Sequence, residues 1–385
     1  MVLLISFSGS LAFRLSIPVV AYHVREELAA SAFIVGLTTT AYFIMRAFSA
    51  SISGEVIARL RDYRRLSLVG FLVSALVVLA YIYSYNWIIV IVLRLMQGFL
   101  AGLMWIPLQY AVSVYSRESW RGRAYAFYFL VGAIGAQIAN VVYALMEAYG
   151  ALAILALSSV LYLVSAALVY SIPLPKTTIT KPNRSTAKTK EGMELRRFLP
   201  VFLAGFMVSF TLSIYYGDIP YVYVRETLGL TRQDTALVLA VTGFIGLGLS
   251  LIASHIADRY PDKPLLEFVV ALVPLALLLI CFGRLWLVII GFSLLTVVSR
   301  VFTPLSRRVV TVSSSDPGRA VGYLNASSNI GMAIGFAYVG YMYDVLGIKM
   351  NIAGYDVLAL PIALLPISIV SLILTFYLSS KYRTR

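Results

Sequence analysis

The sequence predicts an all-α membrane protein, with twelve transmembrane helices in two six-helix bundles related by pseudo-symmetry. Three observations lead to this fold class: an apolar composition, a series of apolar runs and an internal repeat. Of the 385 residues, 60% are hydrophobic and 12% are charged, a composition far from that of soluble domains. A helix needs about 20 residues to cross the hydrocarbon core, so this length allows about twelve spans with short connections.

Apolar runs separated by polar, Gly or Pro residues mark the expected spans. They are predicted at residues 1–22, 32–54, 66–84, 87–113, 124–146, 151–172, 199–223, 235–256, 265–282, 285–304, 321–344 and 357–380. The longest polar interruption is rich in Thr, Lys and Pro, which is typical of a flexible linker. We therefore predict one bundle at residues 1–173, a cytoplasmic linker at 174–198 and a second bundle at 199–385.

Lys and Arg residues are distributed unequally over the ends of the predicted spans. Of the 31, 22 lie on one side of the predicted membrane and five on the other. Positive residues accumulate on the cytoplasmic side of membrane proteins. Both termini are therefore predicted to be cytoplasmic in a multi-pass protein of the plasma membrane. The same distribution argues against a nucleic-acid partner, although the net charge is +14.

Four arginines lie inside predicted spans: Arg14, Arg46, Arg94 and Arg300. A charge at the centre of a membrane helix costs about 2.5 to 3.5 kcal/mol on insertion scales, so such residues face a wet cavity or a partner. The one carboxylate well inside a predicted span is Asp218. This excess of cations predicts an anionic or zwitterionic small-molecule substrate. The alternative is that structural salt bridges account for one or two of the arginines.

The two halves of the chain repeat each other in order. Ile17-Pro18 followed by Val24-Arg25-Glu26 recurs as Ile219-Pro220 followed by Val224-Arg225-Glu226, at an offset of 200 to 202 residues. Ordered matches at a nearly constant offset indicate a duplication. Duplicated bundles are a known transporter plan in which the substrate binds between the bundles near the membrane midplane.

The segment Arg94-Leu95-Met96-Gln97-Gly98-Phe99-Leu100-Ala101-Gly102 resembles the fourth-helix motif of the major facilitator superfamily. In that motif an intramembrane arginine precedes a Gln-Gly pair, and the resemblance covers essentially the whole chain. It implies the fold of that family and a secondary transporter that moves a small solute by alternating access. We assign the substrate or coupling site to Arg14, Arg46, Arg94, Gln97, Asp218 and Arg300.

The cytoplasmic loop motif of that family, Gly-x-x-x-Asp-Arg followed by basic residues, has two partial copies in this chain. The second copy, at 254–259, has Ser254 in place of Gly, and the first copy, at 54–59, has Ala58 in place of Asp. In the family this Asp helps to hold one conformation through charge pairing and a nearby helix N-terminus. The resemblance therefore implies a conformational latch at Gly54, Arg59, Asp258 and Arg259.

Other sequence features bear on the type of activity. The chain contains no GxxxxGK[ST] phosphate-binding loop, and its two histidines support neither a metal pair nor a Ser-His-Asp set. We therefore expect no enzyme activity, no cofactor and no metal. The expected partners are a small-molecule substrate, membrane lipid and protons as the coupling ion, and we expect a monomer.

Two alternatives to solute transport of this kind stay open at the level of sequence. One is a proton-driven multidrug exporter, although the fifth predicted span lacks the Gly-Pro pair of the antiporter motif found in the drug exporters of the family. The other is a sensor that retains the fold and no longer transports. No dedicated signalling domain is evident in the sequence, which favours transport.

Overall fold

A computed structural model of the chain describes residues 1–59, 64–117, 120–172, 191–257, 260–313, 317–352 and 354–381. These residues are helical almost throughout. In chain order the helices are α1 (Val2–Tyr22), α2 (Ala32–Arg59), α3 (Arg64–Ala80), α4 (Trp87–Tyr115), α5 (Arg121–Met146), α6 (Gly150–Tyr170), α7 (Glu191–Thr211), α8 (Ile219–Leu228), α9 (Arg232–Ala257), α10 (Asp262–Cys281), α11 (Leu285–Ser313), α12 (Pro317–Leu346) and α13 (Ala359–Lys381).

Nine helical stretches among the described residues are long and apolar enough to cross a membrane, or ten when a bent pair counts as one span. One of these stretches, Arg123–Tyr170, is 48 residues long and contains most of α5 and all of α6. A helix suits a bilayer because it satisfies its own backbone hydrogen bonds. The predicted all-α membrane fold is confirmed, and the number of twelve spans stays a prediction.

The structure also differs in detail from the predicted elements. The predicted span 199–223 is broken into α7 and α8, and α11 continues to Ser313 rather than ending at 304. Arg307 and Arg308 therefore lie on a helix and not in a connecting loop. Two short antiparallel strands that the sequence did not predict, β1 (Lys349–Ile352) and β2 (Tyr355–Leu358), form a hairpin before α13.

The chain forms two compact units. Unit 1 comprises Met1–Ala30, Ala41–Arg184 and Thr231–Ala240, and unit 2 comprises Ser31–Thr40, Ser185–Leu230 and Val241–Arg385. The division passes through α2 and α9. Each of these helices therefore has its first residues in one unit and the rest in the other.

The same pattern of helix packing occurs in both units. In unit 1, α1 packs on α5 and α6, while α3 packs on α4 and α6. In unit 2, α7 packs on α12 and α13, while α10 packs on α11 and α13. The helices α7, α10, α11, α12 and α13 correspond in repeat order to α1, α3, α4, α5 and α6. The duplication seen in the sequence is thus also a duplication of packing.

Candidate functional site

The break between α7 and α8 is encoded by three residues of unit 2. Gly217 has a φ angle of +75°, in the left-handed region that favours glycine. Asp218 follows it, and Pro220 is the second residue of α8, where the missing N–H removes no helical hydrogen bond. The segments Phe202–Ile214 and Ile219–Leu228 meet at a bend of 50°. The break places a carboxylate at the start of α8, inside the bundle.

Asp218 is buried, with 1% of its surface exposed. The hydroxyls of Thr38 and Thr39, both on α2, donate to its Oδ2 at 2.8 and 2.7 Å. The Asp218 backbone N–H donates in turn to Thr39 Oγ1 at 3.1 Å. A buried carboxylate is expensive unless hydrogen bonds replace those of water. We call these three residues the Asp218 node, in which α2 supplies hydroxyl donors to a carboxyl group between α7 and α8.

Arg94 and Gln97 meet in the core of unit 1, as their spacing of three residues on α4 predicts. Both are buried, at 2% and 1% exposure. Arg94 Nη1 donates to Gln97 Oε1 at 2.9 Å, and the hydroxyl of Tyr81 donates to the same oxygen at 3.0 Å. The guanidinium carbon of Arg94 lies 5.7 Å from the centre of the Tyr81 ring, within the range of a cation–π contact. The motif therefore builds a buried polar cluster.

The small residues of the same motif allow close packing between α4 and α2. A Cβ atom at Gly98 would overlap the carbonyl oxygen of Tyr42, and one at Gly102 would overlap Ser49. Any larger residue at these two positions would force α2 and α4 apart. Small residues that let membrane helices approach closely are a common basis of their association.

The three other arginines of the predicted site have varied surroundings. In unit 1, Arg14 is half-buried and Arg46 is exposed, with the Arg46 guanidinium 5.9 Å from the centre of the Phe43 ring. In unit 2, Arg300 is half-buried, and its Nε has no hydrogen-bond partner among the described residues. Their roles in substrate binding or coupling stay predictions.

The predicted latch lies only partly within the described residues. Gly54 and Arg59 belong to the last turns of α2, and Asp258 and Arg259 lie outside the described residues. The latch therefore stays a prediction that rests on the loop motif alone.

Unit 2 contains a cavity of about 150 Å³ between α7, α11 and α12. Most of its lining residues are polar. They are Ser209 of α7, Leu212 and Tyr216 of the break between α7 and α8, Ser299, Phe302, Thr303, Ser306 and Arg307 of α11, and Leu324, Asn325, Ser328, Asn329 and Met332 of α12. We call this space the α7–α11–α12 cavity. Polar side chains three or four residues apart on a helix face the same side, and a wall of such side chains is suited to a hydrated or hydroxylated ligand.

Two hydrogen bonds between side chains of different segments order the wall of this cavity. Arg307 Nη2 donates to Asn325 Oδ1 at 3.0 Å, and the hydroxyls of Tyr216 and Ser299 are hydrogen-bonded to each other. Sequence reasoning missed this site because it placed Arg307 in a loop. The recurrence of hydroxyl and amide residues every three or four positions along α11 and α12 was the signal for it.

Comparisons with known proteins agree with this fold. The model of the family described as "Major Facilitator Superfamily" matches residues 2–200 and 201–385. No curated protein matches the chain. A crystal structure of a point mutant of the nucleoside transporter NupG has a TM-score of 0.80 at 13% identity, covering 99% of each chain.

Two further solved structures are similar over nearly the whole chain. A bacterial homolog of the human lysosomal transporter Spinster, inward-facing and unoccupied, has a TM-score of 0.74 at 13% identity, covering 98% of this chain and 96% of that one. The xylose transporter XylE from E. coli, inward open, has a TM-score of 0.69 at 15% identity, covering 100% and 96%. At such identities the likeness concerns the fold.

Proposed function

Because this chain belongs to the major facilitator superfamily of multi-pass membrane transporters, we propose that it is a secondary active transporter that moves a small solute by alternating access. The Asp218 node is the observation that carries this proposal. It joins a buried carboxylate at the broken α7–α8 pair to hydroxyls of α2, so a movement of α2 changes the environment of a titratable group.

The node supports protons as the coupling ion. Both threonine hydroxyls donate to one carboxylate oxygen, and hydrogen bonds of this kind are stronger when the acceptor is ionised. When Ser31–Thr40 moves away from Asp218, the charged form loses both donors. Proton binding to Asp218 and movement of α2 are then linked, and linkage of this kind works in both directions.

An anionic or zwitterionic solute is the substrate class that the charged residues favour. Arg14, Arg46, Arg94 and Arg300 supply cationic groups within the helices, and Gln97 orients the Arg94 guanidinium. The solved structures of similar fold include a nucleoside transporter and a xylose transporter, whose names point to polar, hydroxylated solutes. We therefore expect a substrate that combines hydroxyl groups with a negative charge.

The remaining parts of the proposal concern location and assembly. We place the protein in the plasma membrane as a monomer surrounded by lipid, with both termini in the cytoplasm. The 22 to five distribution of Lys and Arg over the two sides supports this orientation. The loop latch at Gly54, Arg59, Asp258 and Arg259 would then lie on the cytoplasmic face.

Transport in reconstituted vesicles tests the proposal. A thermal-shift screen of nucleosides, pentoses and sugar acids selects the solute, because a ligand stabilises the state that it binds. We expect the unmodified protein to accumulate this solute in response to a pH gradient. Asp218→Asn should abolish that accumulation and keep solute exchange at equal pH, since the neutral side chain no longer carries a proton through the cycle.

The matched control is Asp356→Asn, which removes an exposed carboxylate from β2 and should leave accumulation unchanged. If Asp218→Asn accumulates solute with unaltered pH dependence, Asp218 is not the coupling residue. If the unmodified protein neither accumulates nor exchanges any solute that stabilises it, a sensor replaces the transporter as the explanation. Preferential stabilisation by cationic drugs would favour a multidrug exporter.

A further inference from the structure

We infer that the α7–α11–α12 cavity is an anion-accepting subsite, in which Arg307 binds the carboxylate, phosphate or sulfonate group of a small hydroxylated solute. This inference rests on the proposed transport function and adds the place where the negative charge of the substrate binds. It concerns a residue that lies outside the four arginines assigned from the sequence.

The charge of the cavity wall is the first argument. Arg307 is the single charged residue among the described residues that line it. Its side chain is exposed, and its partner in the described part of the chain is the neutral amide of Asn325. A guanidinium carries five N–H donors in a planar fork that matches two oxygens of an anion. Arg307 therefore has donors available for a ligand.

The neighbouring residue shows what a structural arginine looks like on the same helix. The guanidinium of Arg308 is paired with the carboxylate of Asp262, the first residue of α10. Arg308 does not line the cavity among the described residues. Two successive arginines of α11 thus differ in that one is neutralised by a carboxylate and the other faces a polar cavity. Arg308 is accordingly the matched control for Arg307.

The rest of the wall indicates the size and polarity of the solute. Ser299, Thr303 and Arg307 are each four residues apart, so they lie along one face of α11. At 1.5 Å per residue, Ser299 and Arg307 are separated by about 12 Å along the helix axis. The Tyr216–Ser299 hydrogen bond marks the other end of this row. A sugar acid or sugar phosphate carries an anionic group for Arg307 and hydroxyl groups that can bind the polar residues along this row.

The charge preference of the cavity can be measured without knowing the substrate. In a Cys281→Ser background, which removes the one cysteine of the chain, a cysteine replaces Asn329 in the cavity wall. Intact-mass measurements then give the labelling rates with two thiol reagents, a sulfonatoethyl and a trimethylammonioethyl methanethiosulfonate. The ratio of the two labelling rates reports the preference of the cavity for an anion. The sulfonate group of the first reagent belongs to the proposed ligand class.

We expect Arg307→Gln to lower the ratio of anionic to cationic labelling roughly tenfold, since a cleft of one charge raises the local concentration of its counter-ions by at least that factor. Arg308→Gln should leave the ratio within about twofold of the parent, and Arg307→Lys should retain most of it because the charge is kept. If Arg307→Gln does not fold, Arg307→Met serves in the same assay.

An unchanged ratio in the folded neutral variant of Arg307 would overturn the inference, as would an equal fall in Arg308→Gln. The result is independent of transport because the reagents sense the cavity in a protein that does not cycle. If the cavity is charge-selective but the protein shows no pH-driven accumulation, the proposed function alone is contradicted. If accumulation is normal but the cavity is not charge-selective, this inference alone is contradicted.

Discussion

The first turns of α2 and α9 occupy equivalent positions in the repeat, 200 residues apart, and begin in the same way. In α2, Ser31 Oγ accepts a hydrogen bond from the Ile34 N–H at 3.3 Å. In α9, Thr231 Oγ1 accepts one from the Asp234 N–H at 3.0 Å. Both are hydroxyl N-caps that bond to the third residue of the helix. Residues 31–40 belong to unit 2, whereas the rest of α2 belongs to unit 1. Residues 231–240 belong to unit 1, whereas the rest of α9 belongs to unit 2.

The two helix starts differ in how they bind the unit in which they lie. At α2, the carboxylate of Asp344 on α12 accepts from the backbone N–H groups of Ala32 and Phe33 at 2.9 and 2.7 Å. At α9, the side chain of Arg232 donates to Glu26 at 2.6 and 3.1 Å. One start is therefore held through its backbone and helix dipole, and the other through a side-chain ion pair.

The contacts of α2 also continue further along the helix. A Cβ atom at Gly340 of α12 would overlap the carbonyl oxygen of Ala32, and Thr40 Oγ1 donates to the carbonyl oxygen of Ala333 at 2.7 Å. Thr38 and Thr39 of the Asp218 node lie between Ala32 and Thr40 along α2. The comparison indicates that the start of α2 is the more strongly held of the two and the one hydrogen-bonded to Asp218.

The largest effect on this comparison is expected from Asp344→Ala. The substitution removes an acceptor from two backbone N–H groups and a negative charge from a helix N-terminus, a loss of about 1 to 2 kcal/mol. Amide hydrogen exchange in peptides covering 31–40 should become roughly tenfold faster. Asp344→Asn, which retains one acceptor oxygen, should give a smaller increase. Unchanged exchange in Asp344→Ala would show that the carboxylate does not hold α2.

A smaller effect is expected from Arg232→Gln at the start of α9. The ion pair with Glu26 is partly exposed, at 30% and 24% for the two side chains, and such pairs contribute about 0.2 to 1 kcal/mol. Exchange in peptides covering 231–240 should rise by less than in the Asp344→Ala experiment. The difference from the unmodified protein should disappear near 1 M salt because salt screens the pair. A difference that persists at high salt would assign the effect to packing.

The smallest effect is expected from Thr231→Ala, which removes the N-cap of α9 and leaves its ion pair in place. The cost should be about 0.5 kcal/mol, at the low end for caps, because the turn is exposed. Faster exchange should be confined to the first turn of α9, and the rate of solute transport should not change. A transport defect in this variant would mean that local helix stability, rather than the ion pair, limits movement at α9.

Sequence reasoning reached the parts of this account that depend on local spacing. The repeat predicted the duplicated packing, and the fourth-helix motif has Arg94 and Gln97 three residues apart, a spacing that puts both on one helix face. Asp218 was identified because a carboxylate inside an apolar run is rare. The motif and the carboxylate need only the chain within a few turns of each residue, and the repeat needs only two segments about 200 residues apart to be compared.

The remaining features depend on contacts between distant segments. Thr38 and Thr39 are ordinary helix residues until the fold places them beside Asp218, about 180 residues away. Asp344 and the N-terminus of α2 are separated by more than 300 residues. Arg307 was assigned to a loop because it lies just after an apolar run. The sequence at such a position looks the same whether the helix ends there or continues.

The central claim is that the start of α2 must leave α12 and Asp218 during transport. The rings of Phe33 and Tyr341 are 6.3 Å apart, so cysteines at these two positions, in a Cys281→Ser background, can be joined by a short reducible bis-methanethiosulfonate reagent. We predict that cross-linked protein in vesicles loses both pH-driven accumulation and exchange, that reduction restores them, and that the single-cysteine variants are unaffected by the reagent. Transport at the uncrosslinked rate by fully cross-linked protein would contradict the account.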